Sequence, residues 1–261
     1  MTAGPAKGDK FLAESTIPRA CLTWRGAGVS LRSMRHTAGM LLVFLAGFAV
    51  MVLEIIGARY LARDFGSSFY VWVSQIGVVL AALALGYGCG GALADRFQRL
   101  RWLALVLVPA GLITFCIPWF EPPLVNAIIQ RHPADAAIPP LWQKLDPALG
   151  SALVFLLPCA ALATLSPYMI RLGARKLTRV GRTSGLIYAT STIGSIAGVF
   201  VSGYVLIEQM TISNIFRTTG VLTASLGLLC WGMDGWFAAD EVTTGANELQ
   251  PERANEASSA R

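Results

Sequence analysis

The sequence predicts an all-α integral membrane protein of about six transmembrane helices. Three observations carry that expectation. The chain is 54% hydrophobic and only 14% charged, with a mean hydropathy of +0.57, beyond what a soluble domain of 261 residues shows. Six apolar stretches meet the requirement of about 20 residues for crossing about 30 Å of hydrocarbon. Basic residues collect in alternate connections between those stretches, as the positive-inside rule requires.

The elements follow in chain order. Residues 1–36 form a polar segment holding Lys7, Lys10, Arg19, Arg25, Arg32 and Arg35, expected to be disordered. The transmembrane domain covers 37–237, with spans at 37–62, 69–94, 102–120, 148–170, 184–207 and 212–236. The turn after the second span carries Arg96, Arg99 and Arg101, and the turn after the fourth carries Arg171, Arg175, Lys176, Arg179 and Arg182. Between the third and fourth spans, 121–146 mixes Val125, Ile128, Ile129, Leu141 and Trp142 with five prolines. That pattern predicts short amphipathic helices lying at the membrane interface. The segment 238–261, rich in Glu, Ala, Ser and Asn, is expected to be a disordered acidic tail.

Charge placement puts the N-terminal segment and the two basic turns on one face, so both termini are expected to be cytoplasmic. The net charge of +6 is accounted for by this topology and by anionic headgroups, and no nucleic-acid partner is expected. A cleaved signal peptide is not expected, because the first apolar run is longer than a signal core and follows 36 polar residues. Cys21, Cys89, Cys116, Cys159 and Cys230 show no CxxC spacing, and His36 and His132 stand isolated. Neither a disulfide framework nor a metal or other cofactor is expected; the cysteines read as small packing residues.

The first span contains Glu54 and Arg59. An acid near the hydrocarbon core costs about 2.5–3.5 kcal/mol on insertion scales and normally faces a protein interior or a water-filled path. Two readings stay open for Glu54: an ion pair with Arg59 or Arg217 that fixes packing, or a substrate or proton path shared with Gln75 and Arg59. In the fourth span Pro158 and Pro167 open backbone carbonyls to a cation.

The string Gly86-Tyr87-Gly88-Cys89-Gly90-Gly91 holds a literal GxGxxG, but it ends an apolar helix with no preceding strand, so a dinucleotide turn is excluded and close helix packing through Gly86 and Gly90 is expected. In the fifth span Thr190, Gly194, Gly198 and Ser202 recur at every fourth position, leaving a smooth face for packing within the bundle or against a second copy.

The glycines lead into Gly91-Ala92-Leu93-Ala94-Asp95-Arg96-Phe97-Gln98-Arg99, which resembles the loop motif of the major facilitator superfamily, with Gln98 where that family usually has glycine. The resemblance implies half of such a bundle, with Asp95, Arg96 and Arg99 as gating residues. Glu54-Ile55-Ile56-Gly57-Ala58-Arg59, Phe65-Gly66-Ser67-Ser68-Phe69-Tyr70-Val71-Trp72, Leu85-Gly86-Tyr87, Ser166-Pro167-Tyr168 and the run from Val180 through Gly185-Leu186-Ile187-Tyr188 to Ser195 together resemble the membrane portion of fused transporter/spermidine synthase-like proteins. That resemblance implies a bacterial inner-membrane protein handling a polyamine-like organic cation.

In fused members a soluble aminopropyltransferase domain follows the last span. Here only about 25 residues follow it, so this polypeptide alone is not expected to be an enzyme. Two functions follow from the resemblance: a transport module, acting as a homodimer, or a membrane scaffold for a separately encoded, soluble synthase-like subunit.

Overall fold

The computed structural model describes the backbone of residues 20–132, 139–173 and 180–259 and the side chains of 36–132, 139–173 and 180–235. The expectations resting on Lys7, Lys10, Arg19, Arg175, Lys176 and Arg179, and on Pro133 among the five prolines, lie outside the described residues.

Every regular element described is helical: α1 (Ala20–Phe65), α2 (Phe69–Arg96), α3 (Arg101–Gln130), α4 (Pro140–Ala163), α5 (Leu165–Gly173), α6 (Val180–Val201), a π-helical turn (Ser202–Leu206), α7 (Ile207–Gln209) and α8 (Ile212–Ser259). Thr164 alone separates α4 from α5, and the π turn joins α6 to α7, so these pieces make the fourth and fifth spans. Among the described residues, five helices are long and apolar enough to cross a membrane: 36–65, α2, α3, 140–173 and 180–209. The sixth, in α8, is diluted by Arg217, Asp234 and a run of Ser and Thr, and it packs along α3 as that helix's main partner.

Three boundaries differ from expectation. Helical backbone begins at Ala20 and continues to Ser259, inside the segments expected to be disordered. Once a helix is nucleated each further residue adds one hydrogen bond, and no proline interrupts α1. The segment 121–146 is not a set of interfacial helices: α3 runs on through Pro122 and Pro123 to Gln130. The reason is burial, since Glu121, Val125 and Ile128 follow one another at helical spacing on the inward face. Only 131–139 is left to connect α3 to α4.

The closest helix pairs are α3 with α8, α2 with α4, and α1 with α6. In span order these are 3 with 6, 2 with 4 and 1 with 5. Exchanging the first three spans for the last three maps this set onto itself, and three spans reverse the chain direction, so the pairing has the pattern of an inverted repeat.

The glycines agree with that symmetry. Gly86 and Gly90 of α2 meet Ala160 and Thr164 at the fourth span, while Gly194 and Gly198 of α6 meet Phe44 and Phe48 of α1. Gly111 and Gly220 face one another: a Cβ on either would lie 2.7 Å from the other's carbonyl oxygen. At each crossing only hydrogen lets the backbones approach this closely. The core between the pairs is filled by Leu53, Ile56, Leu61, Leu103, Phe155, Tyr168 and Phe216, all fully buried.

Candidate functional site

Where spans 1, 2, 4 and 5 meet, they leave a cavity of about 40 Å³, enough for water. Its polar lining is Tyr87 from α2, Ser166 from α5, and Ser191 and Ser195 from α6, set among Gly47, Val50 and Met51 of α1. Gly47 is required here, because an added Cβ would come within 3.0 Å of Ser195 Oγ and closer still to the Ser191 carbonyl. Ser195 Oγ donates to the Gly47 carbonyl at 3.3 Å, tying α6 to α1 beside the cavity. Pro167 has no N–H to return to the carbonyl of Ala163, itself a lining residue, which leaves acceptor capacity at the cavity wall.

Glu54 extends this lining. Gly47, Val50, Met51 and Glu54 stand at i, i+3, i+4 and i+7, one face of α1, with Glu54 a turn beyond the cavity. Its side chain is half-buried. Neither expected ion-pair partner meets it, and the salt bridges among the described residues join other groups. Arg59 is exposed and lies five residues on, about 140° around the helix. Arg217 instead covers the ring of Trp119 at 5.2 Å.

Gln75 is fully buried and absent from the cavity lining. Its Oε1 accepts from Ser151 Oγ at 2.6 Å, and its Nε2 reaches the Leu53 carbonyl at 3.5 Å. It therefore joins spans 1, 2 and 4 opposite Gly57, whose missing Cβ would lie 2.6 Å from Gln75 Nε2.

The basic end of the bundle is closed by three contacts. Asp95 accepts from Arg171 Nε at 2.9 Å. Tyr168, with a fully buried ring, donates to the carbonyls of Phe97 and, at 2.6 Å, Arg99. Asp234 of α8 accepts the Arg101 backbone N–H at 3.1 Å, placing a carboxylate at the α3 N-terminus, where the helix dipole favours negative charge. Of the expected gating set, Asp95 is engaged through its side chain in a cross-span contact. Arg96 lies over its neighbour Phe97 at 5.6 Å, and Arg99 contributes its carbonyl.

The packing residues are placed within the chain: Gly86 and Gly90 on the fourth span, Gly194 and Gly198 on the first. Ser202 is buried and donates to the Gly198 carbonyl at 2.6 Å, and Thr190 donates to the Leu186 carbonyl at 2.8 Å. The four glycines and Ser202 are thus used inside the bundle, while Thr190 bonds to its own helix.

Ser151, Ser166, Ser191, Ser195, Tyr168, Arg171 and Asp234 were not legible as site residues. A serine in an apolar helix reads only as small, and a basic residue at a helix end reads as a topology signal. Ser191 and Ser195 do share i, i+4 spacing, the one local sign that they point together.

Compared with known proteins, the chain matches no family model, no curated protein and no solved structure.

Proposed function

We propose that this chain is a transporter-like membrane module, half of a major facilitator-like bundle, that passes a polyamine-like organic cation along the face of α1 carrying Glu54. The observation that carries the reading is Glu54 itself: a half-buried acid inside a span, without an ion pair among the described residues, one turn from a cavity lined by hydroxyls. A carboxylate in a low-dielectric cleft attracts an ammonium strongly and exchanges it for a proton. Hydroxyls and a proline-freed carbonyl supply uncharged acceptors for the remaining N–H groups of such a cation.

The inverted pairing of spans is the arrangement on which many secondary transporters build alternating access, and the Asp95–Arg171 and Tyr168 contacts give one end of the path a closure. The two spans least buried within the bundle, α2 and the fifth, both border the cavity, which favours self-association of two copies around a shared path. The proposed setting is a bacterial inner membrane with the basic turns cytoplasmic.

The test is uptake of radiolabelled spermidine into lipid vesicles containing the purified full chain, alongside the Glu54→Gln variant. Loss of uptake in the variant at normal expression and melting temperature supports the reading. Vesicles in which both proteins are inactive, with a soluble synthase-like subunit co-purifying from the native membrane, support a scaffold instead.

A further inference from the structure

We infer that Glu121 is a proton-binding site at the end of the bundle opposite the basic turns, and that it holds its proton in the arrangement described here. Glu121 lies on α3, fully buried, and among the described residues neither carboxylate oxygen makes a well-formed hydrogen bond, the Tyr60 hydroxyl being the donor that interacts with the carboxyl. A buried carboxylate without a partner is among the costliest groups a protein can hold; it neutralises rather than stay charged.

The cations available to neutralise it are turned elsewhere. From α1, Tyr60, Arg63 and Asp64 are the polar side chains that act on it, and the Arg63 guanidinium lies over the Tyr60 ring at 4.1 Å. From α8, Arg217 lies over Trp119 at 5.2 Å, and its Nε is buried without a partner. The titratable groups of α4 are engaged with others: Lys144 with the Tyr70 ring at 5.3 Å, and Asp146 with Arg131 and His132. The Arg63 guanidinium on an aromatic face beside a buried acid describes one member of a two-state pair. In the other, the ionised carboxylate draws it off the ring.

The same side chains supply a route for the proton. Arg63 and Asp64 are exposed, while Tyr60 is buried and packs edge-on against Phe216 at 5.2 Å. The Tyr60 hydroxyl, which interacts with the Glu121 carboxyl, is the side-chain group through which a proton from this exposed end of α1 reaches it. Because Tyr60 of α1 packs on Phe216 of α8 and Glu121 is on α3, loss of the proton changes the surroundings of three spans. The inference is independent of the proposed cation path, which lies on another face of α1.

Infrared difference spectroscopy of the full chain in lipid nanodiscs, with a pH step as the only perturbation, tests it. The expected result is a protonated-carboxyl C=O band at pH 7 that is missing in Glu121→Gln and returns, displaced, in Glu121→Asp. Identical spectra for the wild type and Glu121→Gln overturn the inference. Stability gives a second reading, because glutamine copies the shape of the neutral acid: the melting temperature of Glu121→Gln should stay within about 2 °C of the wild type. A fall of about 6 °C or more, or failure to fold, overturns the inference, since it marks a broken buried ion pair.

Discussion

Asp95 Oδ1 accepts a hydrogen bond from Arg171 Nε at 2.9 Å, which joins the end of α2 to α5. Tyr168, one turn before Arg171 on the same helix, holds the carbonyls of the α2–α3 turn. One short helix thus carries two of the three contacts that fasten this end, an exposed ionic one and a largely buried neutral one. They differ in strength, and the difference can be measured.

Both partners of the ionic contact are more than half exposed, so removing it costs little. Arg171→Gln should lower stability by at most about 1 kcal/mol and raise hydrogen exchange in the turn at 97–100 by no more than about fivefold. Asp95→Asn should give the same change, and the double variant no more than either single, because the two residues share one interaction. High salt should reproduce most of the effect in the wild type. A larger effect of Arg171→Gln in the Asp95→Asn background would show that Arg171 acts elsewhere.

Tyr168→Phe should cost more, about 1–3 kcal/mol, because it deletes a hydroxyl that serves two carbonyls. Thermal unfolding in detergent, compared with Arg171→Gln, checks the order. The turn at 97–100 should show the larger gain in exchange in Tyr168→Phe.

The glycine crossings separate residues that act by absence from those that are merely small. Gly194→Leu pushes a side chain into the Phe44 backbone and Gly86→Leu into that of Ala160. Each should destabilise by about 1–3 kcal/mol or more and lower the yield of folded protein. Gly77 and Gly203 have nothing within 4 Å of an added Cβ, so Gly77→Leu and Gly203→Leu should melt close to the wild type. Equal losses at all four positions would mean that leucine disturbs the helices themselves.

How much of this was legible beforehand follows from the kind of signal involved. The bundle was, because crossing hydrocarbon fixes both the length and the apolarity of each span, and Gly86, Gly90, Gly194 and Gly198 announced close packing by their spacing. Their partners were not, since helical spacing says which residues share a face and not which face of which neighbour they meet. For the same reason Glu54 was conspicuous, while its lack of a partner in Arg59 or Arg217 was not. Arg217 was taken by Trp119, an aromatic that the sequence marks only as apolar. Glu121 was hidden because Pro122 and Pro123 read as the end of α3, whereas burial of Val125 and Ile128 carries the helix past them. Arg171 was hidden among other bases with a sufficient topological explanation.

The buried network of Gln75 and Ser151 allows a cycle in which two changes should cost less than one. Ser151 Oγ donates to Gln75 Oε1 at 2.6 Å in a fully buried setting. Ser151→Ala leaves an amide oxygen without a partner, which should cost about 1–3 kcal/mol. Gln75→Leu leaves the serine hydroxyl unpaired, but that hydroxyl can turn back to a carbonyl of its own helix, so its cost should be smaller. The double variant removes both polar groups and presents apolar surface to Gly57 and Phe155, the side against which Gln75 packs, and should recover much of the loss from Ser151→Ala. Melting temperatures of the four proteins, measured in one detergent, decide it. Additive losses would show that Gln75 does more than hold spans 1, 2 and 4 together, and would restore it to the list of residues that a passing cation could touch.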